Sequence, residues 1–210
     1  MSDAVVTLEQ AETFSRCMSV GGVAVFPADT VYGLACEPGH REAVERLYAL
    51  KGRAADKPAA VMFFSLDLAL TALPELGPRT HGAMTALLPG GVTLLLPNPA
   101  GRFPLACGPD PSTLGLRVPA LPAALETLAG VRWPILQTSA NRSGEPDARR
   151  LLDVPQQIRG AADLVIDGGE LQGLASTVVD LREFELDGRW LVLREGAVPV
   201  ADVEARLRVH

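Results

Sequence analysis

Aromatic side chains are scarce: they make up 5% of 210 residues, with two Trp, two Tyr and six Phe. The interior must therefore be built from Ala, Val and Leu, within an apolar fraction of 48% that is ordinary for a globular protein. Cysteine is scarcer still. Cys17, Cys36 and Cys107 are odd in number, widely spaced and without a CxxC pair, which argues against a disulfide framework or zinc site and for reduced thiols. The histidines His40, His81 and His210 are isolated; the first two read as surface residues rather than catalysts. No window approaches the roughly 18 consecutive apolar residues of a membrane-spanning helix. The start carries Asp3, Glu9 and Glu12 in place of a basic segment and a long apolar run, so no signal peptide is expected and the location expected is cytoplasmic. There is no GxxxxGK[ST], no GxGxxG and no Gly-x-Ser-x-Gly. The net charge of −6 argues against a surface that binds nucleic acid over its whole extent, while leaving room for a local basic cleft.

What is present alternates between two periodicities. Helical spacing covers residues 7–18, 41–50, 66–73, 78–88, 122–129 and 200–207, with a short helix at 154–158. Gly21-Gly22 ends the first and Gly52 follows the second. Short apolar runs of strand length occupy 23–26, 60–64, 92–96, 114–118, 135–138, 164–167, 177–181 and 190–194. Such alternation gives a large, mostly buried mixed sheet with helices packed on it. The Pro/Gly-rich span 97–111 is read as a loop inside one domain covering residues 1–210, because the strands on both sides look like parts of one sheet.

Four short polar segments follow or interrupt the apolar runs. They are Pro27-Ala28-Asp29-Thr30-Val31-Tyr32-Gly33, Lys51-Gly52-Arg53, Ser139-Ala140-Asn141-Arg142-Ser143-Gly144 and Ser176-Thr177-Val178-Val179-Asp180. Together they supply cations, hydroxyls, an amide and glycines, a set suited to an anionic, phosphate-bearing small molecule. Each also has a plain structural reading. Asp29 and Thr30 cap a turn or meet a ligand at a strand end. Lys51 and Arg53, with Lys57 in the same loop, either complement a helix C-terminus or bind phosphate. Arg117, inside an apolar strand beginning near Thr113, needs a carboxylate partner, which is either a ligand or an internal Asp or Glu. Ser139, Asn141 and Gly144 line a site or make a turn. Ser176 enters a strand, and Arg194 ends the next one. Asp167-Gly168-Gly169 is weak evidence for anything.

Six pieces occur in an order that resembles the threonylcarbamoyl-AMP synthase family of YrdC-like proteins, over about residues 22–199. They are Pro27 to Leu34, Lys51 to Arg53, Pro89-Gly90-Gly91-Val92-Thr93, Gly115-Leu116-Arg117-Val118-Pro119, Ser139 to Gly144 and Ser176 to Asp180. The resemblance implies an α/β fold with a twisted mixed open sheet and packed helices around a concave cleft. It also implies a nucleotidyltransferase that makes threonylcarbamoyl-AMP and pyrophosphate from L-threonine, bicarbonate and ATP, for threonylcarbamoyladenosine in tRNA. Thr30, Arg117 and Ser176 would bind threonine. Lys51, Arg53, Lys57, Thr113, Ser139, Asn141 and Arg194 would line the ATP side, with Asp147 a further candidate. Lys51 and Arg53 would carry the catalytic charge stabilisation. Mg2+ would accompany ATP through its phosphates, and no protein metal site is expected. Double-stranded RNA or tRNA and downstream threonylcarbamoyl transferase proteins are the implied macromolecular partners. The chain ends about where the catalytic domain of such proteins should, so the single-domain form is expected.

Several positions depart from that pattern. Ala28 stands for a usual Thr, Lys57 for a smaller polar residue, Met62 for a His near the threonine pocket, Gly91 for a Pro and Glu195 for a Pro. The alternative reading is a non-catalytic paralogue that binds RNA or nucleotide in the same basic cleft.

Overall fold

The computed structural model describes residues 4–52 and 57–208. Helix α1 (Leu8–Ser19) starts where Thr7 accepts the Gln10 N–H and Gln10 returns the contact, a reciprocal cap. It leads into strand β1 (Ala24–Ala28), which turns directly into β2 (Val31–Cys36). Both strands are buried along their whole length, so they read as continuous apolar sequence without alternation. Helix α2 (Arg41–Lys51) begins at His40, whose Nδ1 accepts the Ala43 N–H at 3.3 Å, and ends at Gly52 in the left-handed conformation (φ 59°). His40 is thus a helix cap. His81 holds the Leu73 carbonyl at 3.1 Å.

The chain continues through β3 (Ala60–Met62), α3 (Leu66–Ala72), α4 (Pro78–Leu87), β4 (Val92–Pro97) and β5 (Thr113–Arg117). A 3-10 stretch (Ala123–Gly130) precedes β6 (Ile135–Ser139), and a short one (Leu151–Asp153) precedes α5 (Gln156–Ala161). Then come β7 (Leu164–Val165), β8 (Thr177–Asp180), α6 (Phe184–Asp187), β9 (Leu191–Arg194) and α7 (Val200–Leu207).

The nine strands of the described residues form one mixed sheet in the order β7-β1-β2-β6-β3-β5-β4-β8-β9. The pairs β1/β7, β3/β5 and β4/β8 are parallel and the other pairs antiparallel. The irregular span expected at 97–111 joins β4 to β5, which are adjacent antiparallel strands, so it lies within one sheet. The few aromatics are concentrated: Phe14, Phe26 and Phe64 meet with centroids 5.1, 5.9 and 6.3 Å apart. Burial pushes the Cys17 thiol up to about 11 and Cys36 up to about 12, so both are protonated thiols at neutral pH.

Some elements differ from the periodicity. The helix expected at 122–129 is 3-10 in form, because Pro122 opens it and Gly130 closes it within a short span. The strand expected at 164–167 pairs only over Leu164–Val165, at the sheet edge. Strand β2 and the single-turn helix α6 were not expected at all.

Candidate active site

Register and the two-residue period of strands explain the site. Directly paired residues share a face, and so do residues two apart. Gly33 pairs with Ser139, Gln137 with Ala60, Met62 with Arg117, Gly115 with Leu95, Thr93 with Val178, and Val178 with Arg194. Following these pairs across β2, β6, β3, β5, β4, β8 and β9 puts Thr113, Arg117, Gln137, Ser139, Thr93 and Arg194 on one face. Ser176 continues the β8 alternation onto that face. A cleft of about 210 Å³ opens there, lined by Arg117, Gln137, Ser139, Asp147, Ser176 and Arg194 among others.

Small residues make the space. A Cβ on Gly33 would lie 2.8 Å from the Gln137 amide nitrogen, and one on Gly115 would lie 3.4 Å from Ala60 Cα. Pro58, Ala59, Ala60, Thr93 and Val178 also line a second hollow of about 290 Å³, more apolar, which runs on to Cys107 and Thr113. The Thr113 hydroxyl donates to Asp110 at 2.6 Å, one of the hydrogen bonds that hold the Asp110 carboxyl below its usual range.

Three clusters build the cleft walls. In the first, Lys51 is buried and its Nζ donates to the Ser139 carbonyl (2.6 Å), the Asn141 carbonyl (3.0 Å), the Asn141 Oδ1 (2.5 Å) and the Ser139 hydroxyl (3.1 Å). The Ser139 hydroxyl donates to Asn141 Oδ1 at 2.7 Å, and the Asn141 amide donates to Asp147 Oδ1 at 3.1 Å. The end of α2 and the 139–145 turn therefore clasp each other, and Lys51 meets the cleft through Ser139. Asn141 sits one layer behind the wall and orients Asp147.

In the second cluster, the Ser176 hydroxyl pairs with Thr93 at 2.7 Å, and the Arg194 guanidinium donates to the Ser176 carbonyl at 2.8 Å. The Glu195-Gly196 departure is local. Glu195 is exposed and accepts the Val200 N–H at the start of α7 (3.3 Å), while a Cβ on Gly196 would lie 2.1 Å from the Ala175 carbonyl.

The third cluster surrounds Arg117, which is 4% exposed. Its Nη2 donates to Asp29 Oδ1 at 2.7 Å and its Nη1 to Gln137 Oε1 at 3.5 Å. The internal carboxylate that a buried arginine needs is therefore Asp29, itself 8% exposed. Burial pushes the Asp29 carboxyl above its ordinary value and the Arg117 charge opposes that rise. Two buried side-chain polar atoms among the described residues have no hydrogen-bond partner: Arg117 Nε and Thr30 Oγ1. An unsatisfied buried donor or acceptor typically costs about 1–3 kcal/mol, and both belong to residues that bond Asp29 Oδ1, Arg117 through its side chain and Thr30 through its backbone N–H.

Not every expected residue is brought together. Thr30 lines a neighbouring hollow with Asp29, Gly90, Gly91 and Ala120, and is absent from the lining of the main cleft. Lys57 is exposed and absent from the lining; its backbone carbonyl accepts from the Tyr48 hydroxyl at 3.0 Å. Arg53 lies outside the described residues. Met62 is fully buried beside Arg117, so it presents a thioether where a polar ring was the expected pattern. Gln137 is the residue that sequence reasoning did not place in the site, and Asp29, read there as a turn cap or a ligand contact, was not read as the partner of Arg117. Polarity inside the strand at Gln137, as at Arg117, was the available signal.

Comparison with known proteins agrees with this fold. The Sua5/YciO/YrdC family model, described as "Telomere recombination", matches residues 16–196. The chain is 34% identical over 177 residues to a Stenotrophomonas maltophilia protein named threonylcarbamoyl-AMP synthase, covering 81% of this chain and 90% of that one. It is 31% identical over 194 residues to a Pyrococcus abyssi protein of the same name, covering 90% of this chain and 56% of that one, so it spans little more than half of that relative. Among solved structures, P. abyssi Sua5 complexed with L-threonine superposes with a TM-score of 0.82 at 28% identity, over 95% of this chain and 58% of that one. Escherichia coli YciO superposes with a TM-score of 0.79 at 25% identity, over 94% of both chains.

Proposed function

The chain belongs to the Sua5/YciO/YrdC family, and from that premise we propose that it is a threonylcarbamoyl-AMP synthase, using L-threonine, bicarbonate and ATP. The observation that carries the reading is the Arg117 guanidinium, which lines the cleft while held by Asp29 and keeps a buried Nε–H without a partner. An amino-acid carboxylate supplies the missing acceptor, in the planar charge-assisted geometry that guanidinium favours. Ser176 lines the same pocket, and the unsatisfied Thr30 hydroxyl lies on the neighbouring hollow that Asp29 also lines.

Chemistry then needs alignment and charge stabilisation more than a nucleophile. The threonine nitrogen and bicarbonate condense to a carbamate with loss of water. A carbamate oxygen attacks the ATP α-phosphorus, the bond to the bridging oxygen breaks, and pyrophosphate leaves as the nucleotidyl group transfers. Arg194, Ser139 and the Lys51 charge behind it flank the cleft for the phosphates, with Arg53 as a further cation. The apolar hollow toward Thr113 offers room for the rest of the nucleotide. Lys57, exposed, is assigned no contact here.

Mg2+ belongs to the proposal as ATP's companion. Among the described residues no group of three His, Cys, Asp or Glu could hold a metal by itself. Among the described residues Asp147 is the one carboxylate lining the cleft, and a single carboxylate plus phosphates suits this ion. Magnesium would neutralise charge on the phosphates. Delivery of the product to tRNA through a transferase, direct contact with double-stranded RNA or tRNA, and a cytoplasmic site of action complete the proposal; no helix among the described residues is long and apolar enough to cross a membrane.

Calorimetry tests the pocket. L-Threonine is expected to bind, more tightly with ATP present, and L-serine more weakly by the about 1–3 kcal/mol that a missing methyl is worth. Equal affinity for serine and threonine would count against the pocket.

A further inference from the structure

Asp29 occupies the first position of the two-residue turn between β1 and β2, where Ala28 pairs with Val31. Its φ of 63° is in the left-handed region, which Asp tolerates better than most residues. The Thr30 N–H reaches the Ala28 carbonyl at 2.9 Å and Asp29 Oδ1 at 2.7 Å, so the turn closes tightly around the Asp29 carboxylate. The same Oδ1 accepts Arg117 Nη2 at 2.7 Å, and Oδ2 accepts the Ala120 N–H at 3.3 Å. One carboxylate thus ties together the hairpin turn, the end of β5 and the backbone just beyond it. The two unpartnered polar atoms, Thr30 Oγ1 and Arg117 Nε, belong to the two residues sharing Oδ1.

We infer that Asp29 is a positioning residue for the amino-acid carboxylate: by holding Arg117 Nη2 and the Thr30 backbone on one oxygen, it fixes the plane of the guanidinium that lines the cleft. This rests on the synthase reading. Two simpler roles make opposite or different forecasts. Were Asp29 only a counter-charge, removing it would leave Arg117 more positive and tighten carboxylate binding. Were it only a turn residue, removing it would change stability without changing which ligands are preferred. Positioning alone makes carboxylate recognition worse when the charge is lost, because a neutral amide holds Nη2 less firmly than the carboxylate does and the other contact, with Gln137, is long at 3.5 Å.

The experiment is Asp29→Asn, since Asn keeps the shape and tolerates positive φ. Binding of L-threonine, L-threoninol (which has no carboxylate) and ATP is measured by calorimetry for wild type and variant. The preference for threonine over threoninol is expected to fall at least tenfold in the variant, with ATP affinity unchanged. A preference that stays the same, or rises, overturns the inference while leaving the synthase reading intact. A wild-type protein that does not bind threonine overturns that reading and this inference with it. Should Asp29→Asn fail to fold, the wild-type Arg117 Nε–H resonance decides the matter. It is expected to shift with threonine and stay unmoved with threoninol; threonine binding without such a shift overturns the inference.

Discussion

The Tyr32 phenol lies 3.0 Å from the Asp167 carboxylate and 2.8 Å from the Gly169 carbonyl, and accepts the Gly168 N–H at 3.0 Å. One buried hydroxyl therefore anchors the loop after β7 to the strand that follows the Asp29-Thr30 turn. Gly168 is required there, since a Cβ would lie 2.5 Å from Pro27 Cγ. Tyr32→Phe is expected to strand the Gly168 N–H and cost about 1–3 kcal/mol. For a chain of this size that corresponds to a melting-point fall of roughly 2–4 °C per kcal/mol. Thermal melts followed by circular dichroism check it; an unchanged midpoint would show that the network contributes nothing.

Two glycines should respond oppositely to alanine. Gly196→Ala drives a methyl into the Ala175 carbonyl at 2.1 Å and the Ser176 carbonyl at 2.8 Å. It should displace Ser176 and Arg194 and weaken threonine binding at least tenfold. Gly160 lies within α5 with nothing within 4 Å of an added Cβ. Gly160→Ala should stabilise by about 0.5–1 kcal/mol, with ligand affinity unchanged. Paired melts and titrations on the two variants test this contrast.

Acid stability has an identifiable contributor in Asp163. Its Oδ2 accepts the Val23 N–H at 2.7 Å and pairs with Arg46 at 2.9 Å. These contacts, the backbone hydrogen bond foremost, hold its carboxyl below the usual aspartate range. A depressed folded-state value stabilises above the unfolded value of about 3.9 and is lost as pH falls through the folded one. Asp163→Asn should therefore melt lower than wild type at neutral pH, with the gap closing as pH falls below the unfolded value. The side chain is 44% exposed, so added salt should also narrow the gap. A gap independent of pH would rule this out.

Arg117→Lys keeps a cation beside Asp29 but removes the planar fork. The KM for threonine should rise at least tenfold while the KM for ATP stays within about twofold, because the proposed ATP side is Ser139, Lys51 and Arg194. Steady-state kinetics with each substrate varied in turn measures both. Equal changes in the two constants would place Arg117 elsewhere in the reaction.

Much of the frame was legible in the sequence because the central strands are buried on both faces. Val23 to Phe26 reads as an unbroken apolar run for that reason, and so do the runs in β3 and β5. Strand β2 was hidden: its Tyr32, Gly33 and Cys36 break any β-branched pattern, and the hairpin turn uses Asp29-Thr30 in place of the usual Asn-Gly. In the site, Arg117, Ser139, Ser176 and Arg194 were found, because polar groups at strand ends stand out against apolar neighbours. Asp29 as the partner of Arg117 was not legible, since the pairing spans 88 positions and depends on sheet order. Nor was the Tyr32 anchor in Asp167-Gly168-Gly169 legible, since it depends on the parallel β1/β7 pairing.

Pyrophosphate release is the most direct test of the central claim. Purified protein is incubated with ATP and Mg2+, and with L-threonine and bicarbonate together, each alone, or neither. Synthase activity predicts release only when both co-substrates are present, and Arg53→Ala should depress it by roughly 10²–10³-fold, as removal of one charge-stabilising donor does. Protein that binds ATP yet releases no pyrophosphate with both co-substrates present would contradict the synthase function and leave a nucleotide- or RNA-binding paralogue in its place.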